Sequence, residues 1–481
     1  MKPRLSAAIF CALFAGCMLG TDYRRPDVVA PMAYLYEPKE SVATANLEWW
    51  KLFEDPVLDG LIAEALANNK NVKISAAAVE QAAGVLTSTR SPLFPQLGYQ
   101  GDAGRQRFAE GGVIALPSGV SNPTGAYQVL AGASWEIDLW GRVRRLTEAA
   151  QANLLATDEA RRGVILSLVA SVANGYLALR GLDEQLVVAQ RSLAGYAESL
   201  RLMELKFKYG RVSEMNVEQA RARYQTAAAA LPRIRREIAV LEDALSILLG
   251  RNPGAIARGK DIFALTLPAI PQGVPSELLE RRPDLLQAEQ QLVAANAQIG
   301  AAKAQYFPTI SLTGALGTAS TDLSRLFSGP AQTWNFAGAI VGPIFTGGAI
   351  AGQVAQAEAA QRAALLAYEL AIQRAFADVD NALISRETLA EQVAAQQKLV
   401  SALTGYSRMA QKLFDGGRVP YSTVLQAEEQ LFPAELDLAT ARAQLCASFV
   451  NIYKAMGGGW VASAEELTTA AGNPPRGDTQ R

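Results

Sequence analysis

The sequence predicts a mixed α/β membrane protein that is internally duplicated. Four transmembrane β-strands per chain would be closed by three copies into a trimeric 12-stranded β-barrel. Long helices outside the membrane would pack along their length as coiled coils. Three observations predict this fold class: a repeat in which Phe414 lies 207 residues after Phe207, heptads sustained through very long helices, and short strands with one apolar face.

The composition excludes several classes of function. Lys and Arg total 45, Asp and Glu total 46, and the net charge is -1, so we expect no nucleic-acid partner, because such binding needs a basic excess. The 481 residues include 0 His, which excludes Ser-His-Asp and Cys-His catalysis and His-ligated zinc. We recognise no Gly-rich phosphate loop and no cluster of metal ligands. The sequence therefore predicts neither an enzyme nor a cofactor.

Residues 1–16 are predicted to be a lipoprotein signal peptide. A positively charged start precedes an apolar segment that is too short to cross a bilayer, which needs about 20 apolar residues. No later segment offers an uninterrupted apolar run of that length, so we expect no transmembrane helix in the mature chain. Cys17 follows two small residues and Phe14, where the lipobox pattern prefers Leu. We predict lipidation at Cys17, and an ordinary cleaved signal is the alternative.

The chain is predicted to be a tandem duplication. The segment FKYGRV at 207–212 matches FDGGRV at 414–419, and the same offset carries Leu249 onto Met456. Each repeat is predicted to contain a helix, two strands, a long helix, a Gly turn and a second long helix. The predicted divisions are the first repeat at 17–250, an equatorial connector at 251–275, the second repeat at 276–460 and a C-terminal tail at 461–481.

Heptads predict two helical hairpins of unusual length. Apolar or small residues recur every three or four positions from Ile165 to Phe207, and the spacing resumes after the Gly turn. At about 1.5 Å per residue, the run 142–209 would extend about 100 Å. The turns are placed at Gly210 and Gly417, because glycine accepts the positive φ that a tight reversal needs.

Four strands are predicted, at about 96–108, 124–140, 308–318 and 333–345. The second alternates most clearly, with Gln128, Glu136 and Asp138 on its polar face. A soluble sheet with one buried face is the alternative interpretation, but the export signal favours a membrane sheet. Four strands cannot close a barrel, and open edges are not tolerated in lipid. Three copies would supply twelve strands, with lipid on the apolar face and Gln128, Glu136 and Asp138 facing the lumen.

Several motifs in order carry a family resemblance. The resemblance rests on CMLGTDYRRP at 17–26, WW at 49–50, RPDL at 282–285, AQYFPTIS at 304–311, GPIFTGG at 342–348 and YKAMGGGW at 453–460. These motifs resemble the TolC-like outer-membrane efflux proteins, in the lipoprotein branch that includes OprM. The match runs from Cys17 to Trp460.

The resemblance implies a lipid-anchored homotrimer in the cell outer membrane. Its 12-stranded β-barrel would be continued into the periplasm by a long α-helical coiled-coil barrel. The family acts as the passive exit duct of tripartite pumps for drugs or other small toxic compounds. Its implied partners are a periplasmic adaptor (membrane fusion) protein, an inner-membrane pump of the resistance-nodulation-division type and outer-membrane lipid. Within ducts, the alternatives are metal-ion or protein (type I) export. A periplasmic adaptor lipoprotein is a further alternative, although adaptors have one helical hairpin and this chain has two.

The resemblance also implies roles for the hairpin ends. The tips that would meet the adaptor are Gly210, Arg211, Val212, Ser213, Gly417, Arg418, Val419 and Pro420. Many family members carry inward carboxylates just after the second turn, in a common L-D-A, but this chain has Gln426 there. We therefore expect a neutral periplasmic constriction formed by Thr423 and Gln426. Glu428 and Glu429 are nearby acidic candidates.

Overall fold

The computed structural model describes residues 18–27, 34–36, 47–109, 121–270, 278–457, 460–461, 464–465 and 468. The predicted signal peptide, Cys17 and most of the predicted C-terminal tail lie outside the described residues.

The described elements alternate between helices and strands in the predicted order. They are α1 (Pro56–Asn68), α2 (Lys70–Arg90), β1 (Gln96–Gln106), β2 (Thr124–Ile137), α3 (Arg142–Lys208), α4 (Glu214–Leu248), α5 (Leu278–Arg281), α6 (Pro283–Ala304), β3 (Thr309–Ser320), β4 (Gln332–Val341), α7 (Ala349–Asp415) and α8 (Tyr421–Ala455).

The duplication is confirmed by the helix bounds. Helices α3 and α7 have 67 residues each, and α4 and α8 have 35 each. An offset of 207 residues carries every bound of the α3–α4 hairpin onto the α7–α8 hairpin. The turn glycines match as well, because Gly210 has φ 67° and Gly417 has φ 70°. Equal lengths and equal turns make the two hairpins structural copies.

The compact units do not coincide with the repeats. The first unit comprises 1–27, 78–157 and 288–368, and the second comprises 28–77, 158–287 and 369–481. Each unit therefore takes material from both predicted repeats, and the compact units cut across the divisions predicted at 250 and 276.

The first unit contains a four-stranded sheet in the order β1-β2-β3-β4, with every neighbouring pair antiparallel. Three strands end earlier than predicted, and the first of them, β1, ends at Gln106 rather than near 108. β2 ends at Ile137 rather than near 140, because the Asp138 carboxylate accepts hydrogen bonds from the backbone N–H groups of Val143 (3.0 Å) and Arg144 (2.9 Å) at the start of α3. β4 ends at Val341 rather than near 345, and Pro343 follows two residues later without an N–H to donate.

The second unit has the larger core, built from the facing sides of the long helices. At one end of that core, Trp49 stacks on Tyr453 with ring centroids 5.6 Å apart, and Trp460 meets Trp50 edge-on at 5.2 Å. Cys446 is buried at 0 % exposure among these helices, and burial raises the pKa of its thiol to about 11.

One helix bears on the expectation that the mature chain has no transmembrane helix. Helix α3 contains an 18-residue window that is long and apolar enough to cross a membrane by length and composition alone. That window is 56 % buried within the chain, as in the core helix of a soluble protein. The window is therefore weak evidence for a membrane-spanning helix.

Candidate functional site

The sheet of the first unit carries one continuous apolar face. Because paired residues share a face, the register aligns Tyr99 with Ala131, Ala131 with Leu316, and Leu316 with Trp334. These side chains are open to the surroundings, with Tyr99 93 % exposed and Trp334 70 % exposed. Others on this face are Leu97, Val129, Leu312, Phe336 and Ile340. An uncovered apolar face that crosses all four strands needs an apolar medium to cover it.

The opposite face of the sheet is polar. On it, the Asp102 carboxylate accepts hydrogen bonds from the side-chain amides of Gln100 (2.8 Å) and Gln128 (2.7 Å). Glu136 also lies on this face and accepts two hydrogen bonds from one Arg142 nitrogen, at 2.9 and 3.0 Å. The structure thus places Gln128 and Glu136 together on one face.

Asp138 lies one residue beyond β2, so its prediction as a strand position was wrong. It follows the last residue of β2, and its carboxylate serves the first turn of α3 instead. Asp102 is the acid on this face that the sequence prediction missed. Only the register, which sets Asp102 opposite Gln128, reveals its place.

Both outer strands of the sheet have a free edge among the described residues. β1 pairs only with β2, and β4 pairs only with β3. Their outward backbone N–H and C=O groups form templates for further strand pairing.

The two hairpin turns have the same local geometry. Arg211 donates its N–H to the Lys206 carbonyl, and Arg418 donates to the Leu413 carbonyl, each at 2.9 Å, which is the bond that closes a helix ending on a positive-φ glycine. The predicted tip residues Gly210, Arg211, Ser213, Gly417, Arg418 and Pro420 are exposed, and Val212 and Val419 are half-buried.

The hairpin ends share an apolar cluster within the second unit. Met203, Val217, Ala410 and Tyr421, one from each long helix, are buried in it, and Val212 packs against it. All four helix ends are therefore held together at this level, rather than only the two within each hairpin.

The predicted constriction residues separate in the structure. Gln426 is exposed and lines a groove of about 620 Å³, together with Gln219, Ser422 and Glu429. Thr423 is half-buried and does not line that groove. Of the two predicted positions, Gln426 is the accessible one.

The neighbouring acids also separate. Glu429 is exposed on the groove, whereas Glu428 is turned inward with its side chain 17 % exposed and its Oε2 3.5 Å from Arg223 Nε. Arg223 also donates to the Leu425 carbonyl at 2.8 Å, and its guanidinium lies over the Tyr196 ring at 5.1 Å. Burial raises the pKa of Glu428, and the Arg223 charge opposes that rise. Sequence reasoning missed Arg223, since nothing local marks a pair 205 residues apart.

A buried arginine fixes the first described residues of the chain in the first unit. Arg145, 1 % exposed, donates to the carbonyls of Leu19 and Gly20, each at 3.0 Å, and pairs with Asp22 at 2.9 Å. Met18 lies against Gly141, which stands between the end of β2 and the start of α3. The chain therefore enters the fold at the junction of sheet and helix.

The described residues contain no group of three or more Asp, Glu or Cys side chains placed to hold a metal ion. Among the described residues, the candidate sites are therefore the two faces of the sheet, the free edges of β1 and β4, and the groove beside Gln426.

Comparisons with known proteins agree with this geometry. Residues 61–251 and 274–458 match the family described as Outer membrane efflux protein. The chain is 35 % identical over 467 residues to the antibiotic efflux pump outer membrane protein ArpC of Pseudomonas putida, covering 95 % of this chain and 96 % of ArpC. It is 35 % identical over 462 residues to the cation efflux system protein CusC of Escherichia coli, covering 94 % and 98 %. The open-state structure of the Neisseria gonorrhoeae MtrE outer membrane channel superimposes with a TM-score of 0.83 at 32 % identity, covering 92 % and 99 %.

Proposed function

Since the chain belongs to the outer membrane efflux protein family, whose members are outer-membrane channels of efflux pumps, we propose that it is the passive exit duct of a tripartite drug efflux pump. In this role it would receive drugs or other small toxic compounds from an inner-membrane pump of the resistance-nodulation-division type through a periplasmic adaptor. The chain itself would perform no chemistry.

The observation that carries the proposal is the four-stranded sheet with one exposed apolar face, one polar face and two free edges. An open edge in lipid leaves several backbone groups without partners, so the sheet must be continued by other copies. Three copies supply twelve strands, in which each β4 pairs with the β1 of the next copy. Asp102, Gln128 and Glu136 then line a water-filled lumen, and the apolar face meets lipid.

Two further roles belong to the same proposal. Residue 18 enters the fold at the junction of sheet and helix, which supports Cys17 as a lipidated residue anchored at the same membrane boundary. Incorporation of radiolabelled palmitate into the wild type, but not into Cys17→Ser, is the expected result. Equal labelling would overturn this role.

At the turns of the long hairpins, the exposed residues within 210–213 and 417–420 would meet the adaptor. Gln426 would line the narrowest part of the duct. Thr423, half-buried beside it, would support the ring of Gln426 rather than form it.

The proposed cargo is tested by accumulation of a fluorescent pump substrate in cells with and without this gene, beside a panel of unrelated antibiotics. Deletion should raise accumulation and sensitivity, and the wild-type gene should restore both. Because CusC is a cation efflux protein and 35 % identical, the panel includes copper and silver salts. Sensitivity to the metals alone would replace the drug assignment with a metal-ion duct. If deletion in a strain that lacks other ducts changes neither drug sensitivity nor metal sensitivity, both the drug assignment and the metal-ion assignment are overturned.

A further inference from the structure

The groove beside Gln426 is built by three of the long helices. Helix α4 contributes one wall and α8 the other, and α3 contributes Tyr196. The volume of about 620 Å³ lies within the range of small-molecule sites, which is about 300–1,000 Å³. Every residue that lines the groove belongs to the described part of the second unit. The groove is therefore large enough to hold a drug-sized molecule.

Part of the groove is apolar. Leu425, Phe432 and Leu436 line it from one face of α8, since they are seven and four residues apart. The Phe432 ring meets the Tyr196 ring edge to face, with centroids 6.4 Å apart. Both aromatic side chains belong to residues that are only 9 % exposed, so packing fixes their positions. They give the groove a firm apolar surface against which the rings of a ligand can pack.

The charged residues of the groove leave one negative charge unbalanced. Arg223 and Glu429 are the two that line it. The Arg223 guanidinium is already engaged, because its Nε lies 3.5 Å from the Glu428 carboxylate and its Nη1 donates to the Leu425 carbonyl. Glu429 is exposed and makes no ion pair with any residue that the structure describes. The groove therefore presents a negative charge to a molecule that enters it.

A proline adds a second acceptor at the same residue. Pro433 lies inside α8 and lines the groove. Proline has no N–H, so the carbonyl of Glu429, four residues earlier, lacks the donor that a regular helix would supply. Apart from Arg223, the other polar side chains of the wall, among them Gln219 and Gln426, are neutral. The carboxylate and the carbonyl of Glu429 thus make this part of the groove favourable to a positive charge.

We propose that this groove binds amphipathic organic cations in transit, with the positive nitrogen against the Glu429 carboxylate and the apolar rings against Phe432 and Leu436. The proposal rests on the proposed function, because it names the class of cargo that the duct would hold in passing. An anion would meet Glu429 while Arg223 is already engaged, and an inorganic cation would leave the apolar part unfilled. One exposed carboxylate gives the weak binding that lets a passive channel release what enters it.

Photolabelling of the full-length, detergent-extracted protein tests the location of the site. The probe is ethidium monoazide, because ethidium joins a fixed positive charge to flat aromatic rings. Peptide mapping after illumination should find the label within 219–226 or 422–436, and excess ethidium should prevent the labelling. Labelling only elsewhere would overturn the proposal. So would the absence of labelling, which is the result expected if another copy or another segment of the chain fills the groove.

Titration calorimetry tests the recognition of charge. Glu429→Gln should weaken ethidium binding about two- to fivefold, which corresponds to the loss of one exposed ion pair. Gln426→Lys should weaken ethidium binding as well, and it should strengthen the binding of the anion 8-anilinonaphthalene-1-sulfonate. Glu391→Gln is the matched control, since Glu391 is exposed on α7 and does not line the groove. A variant that only disturbed packing would weaken both probes. Equal ethidium affinity of Glu429→Gln and the wild type would overturn the site.

Export assays distinguish failure of this site from failure of the duct. In cells, Glu429→Gln should raise the accumulation of ethidium about twofold and leave the accumulation of the neutral drug chloramphenicol unchanged. Equal effects of Glu429→Gln on the two compounds would overturn the cation site and leave the duct standing. If deletion of the gene in a strain without other ducts changes the accumulation of neither compound, the duct for drugs is overturned together with its cargo class.

Discussion

At the scale of the residue, the second unit depends on a buried carboxylate. Asp55, at 0 % exposure, accepts hydrogen bonds from the Tyr176 hydroxyl (2.7 Å), the Val57 N–H (3.0 Å) and the Lys260 N–H (3.2 Å). It therefore joins the start of α1, the middle of α3 and the connector after α4. Burial and the Asp55 carboxylate raise the pKa of Tyr176, which keeps its hydroxyl protonated and able to donate.

Tyr176→Phe should destabilise the protein by about 1–3 kcal/mol, because it leaves the buried Asp55 with one donor fewer and the Gly259 N–H without its acceptor. Thermal unfolding of the detergent-solubilised protein measures the loss. Tyr209→Phe is the matched control, since Tyr209 is 70 % exposed. Equal melting of both variants and the wild type would contradict the role given to the Tyr176 hydroxyl.

The burial of Glu428 predicts that the stability of the fold depends on pH. Burial raises its pKa above the ordinary 4.5, so the folded protein holds this proton more tightly than the unfolded chain does. Its contribution to stability is therefore greatest below pH 4.5 and is lost as the pH rises through the raised pKa. In Glu428→Gln this loss should be absent, so the difference in melting temperature between the wild type and the variant should change across that window. Glu429→Gln, at an exposed neighbour, should melt in parallel with the wild type, and parallel curves for Glu428→Gln would refute the assignment.

At the scale of the element, the hairpin turns depend on glycine for a backbone reason. Gly417 has φ 70° with open space where a Cβ would stand, so a side chain there meets strain but no clash. Gly417→Ala should cost about 1–2 kcal/mol through the left-handed conformation alone. Gly416→Ala is the control, since its φ is not positive and its Cβ would make only ordinary contact, 3.5 Å from the Lys412 carbonyl oxygen.

Limited proteolysis between α7 and α8 detects this loss of stability, because a destabilised turn opens more often and is cleaved faster. Gly417→Ala should be cleaved faster than the wild type, and Gly416→Ala should be cleaved at the wild-type rate. Faster cleavage of both variants would point to a general loss of helix packing instead.

The elements also show what the sequence could predict. The hairpins were predictable because heptads and turn glycines are local signals, and the repeat at Phe207 and Phe414 supplied each twice. The strand ends were not, because β2 ends where the Asp138 carboxylate turns to the backbone of α3. Long-range pairs were also out of reach, since no periodicity links Arg223 to Glu428 or Asp102 to Gln128.

At the scale of the whole molecule, the sheet with its apolar face and free edges is the basis of the proposal that lipid and further copies complete it. Neighbouring residues on one strand point to opposite faces, so a single strand can test the assignment. On β3, Leu316 lies on the apolar face beside Trp334, and Ala315 lies on the polar face beside Asn335. Leu316→Lys would place a charge in lipid, which costs about 2–4 kcal/mol near the bilayer midplane. Ala315→Lys would place the same charge at the same height in the proposed water-filled lumen, where that cost is absent.

Leu316→Lys should therefore reduce the amount of protein assembled in the outer membrane, whereas Ala315→Lys should assemble as the wild type does and alter only conduction. Membrane fractionation with immunoblotting measures assembly, and single-channel recording of the reconstituted protein measures conduction. Three added lysines in a trimer would make the lumen more positive, so the Ala315→Lys channel should shift its preference towards anions. Normal assembly of Leu316→Lys together with failure of Ala315→Lys would mean that the two faces are assigned the wrong way round.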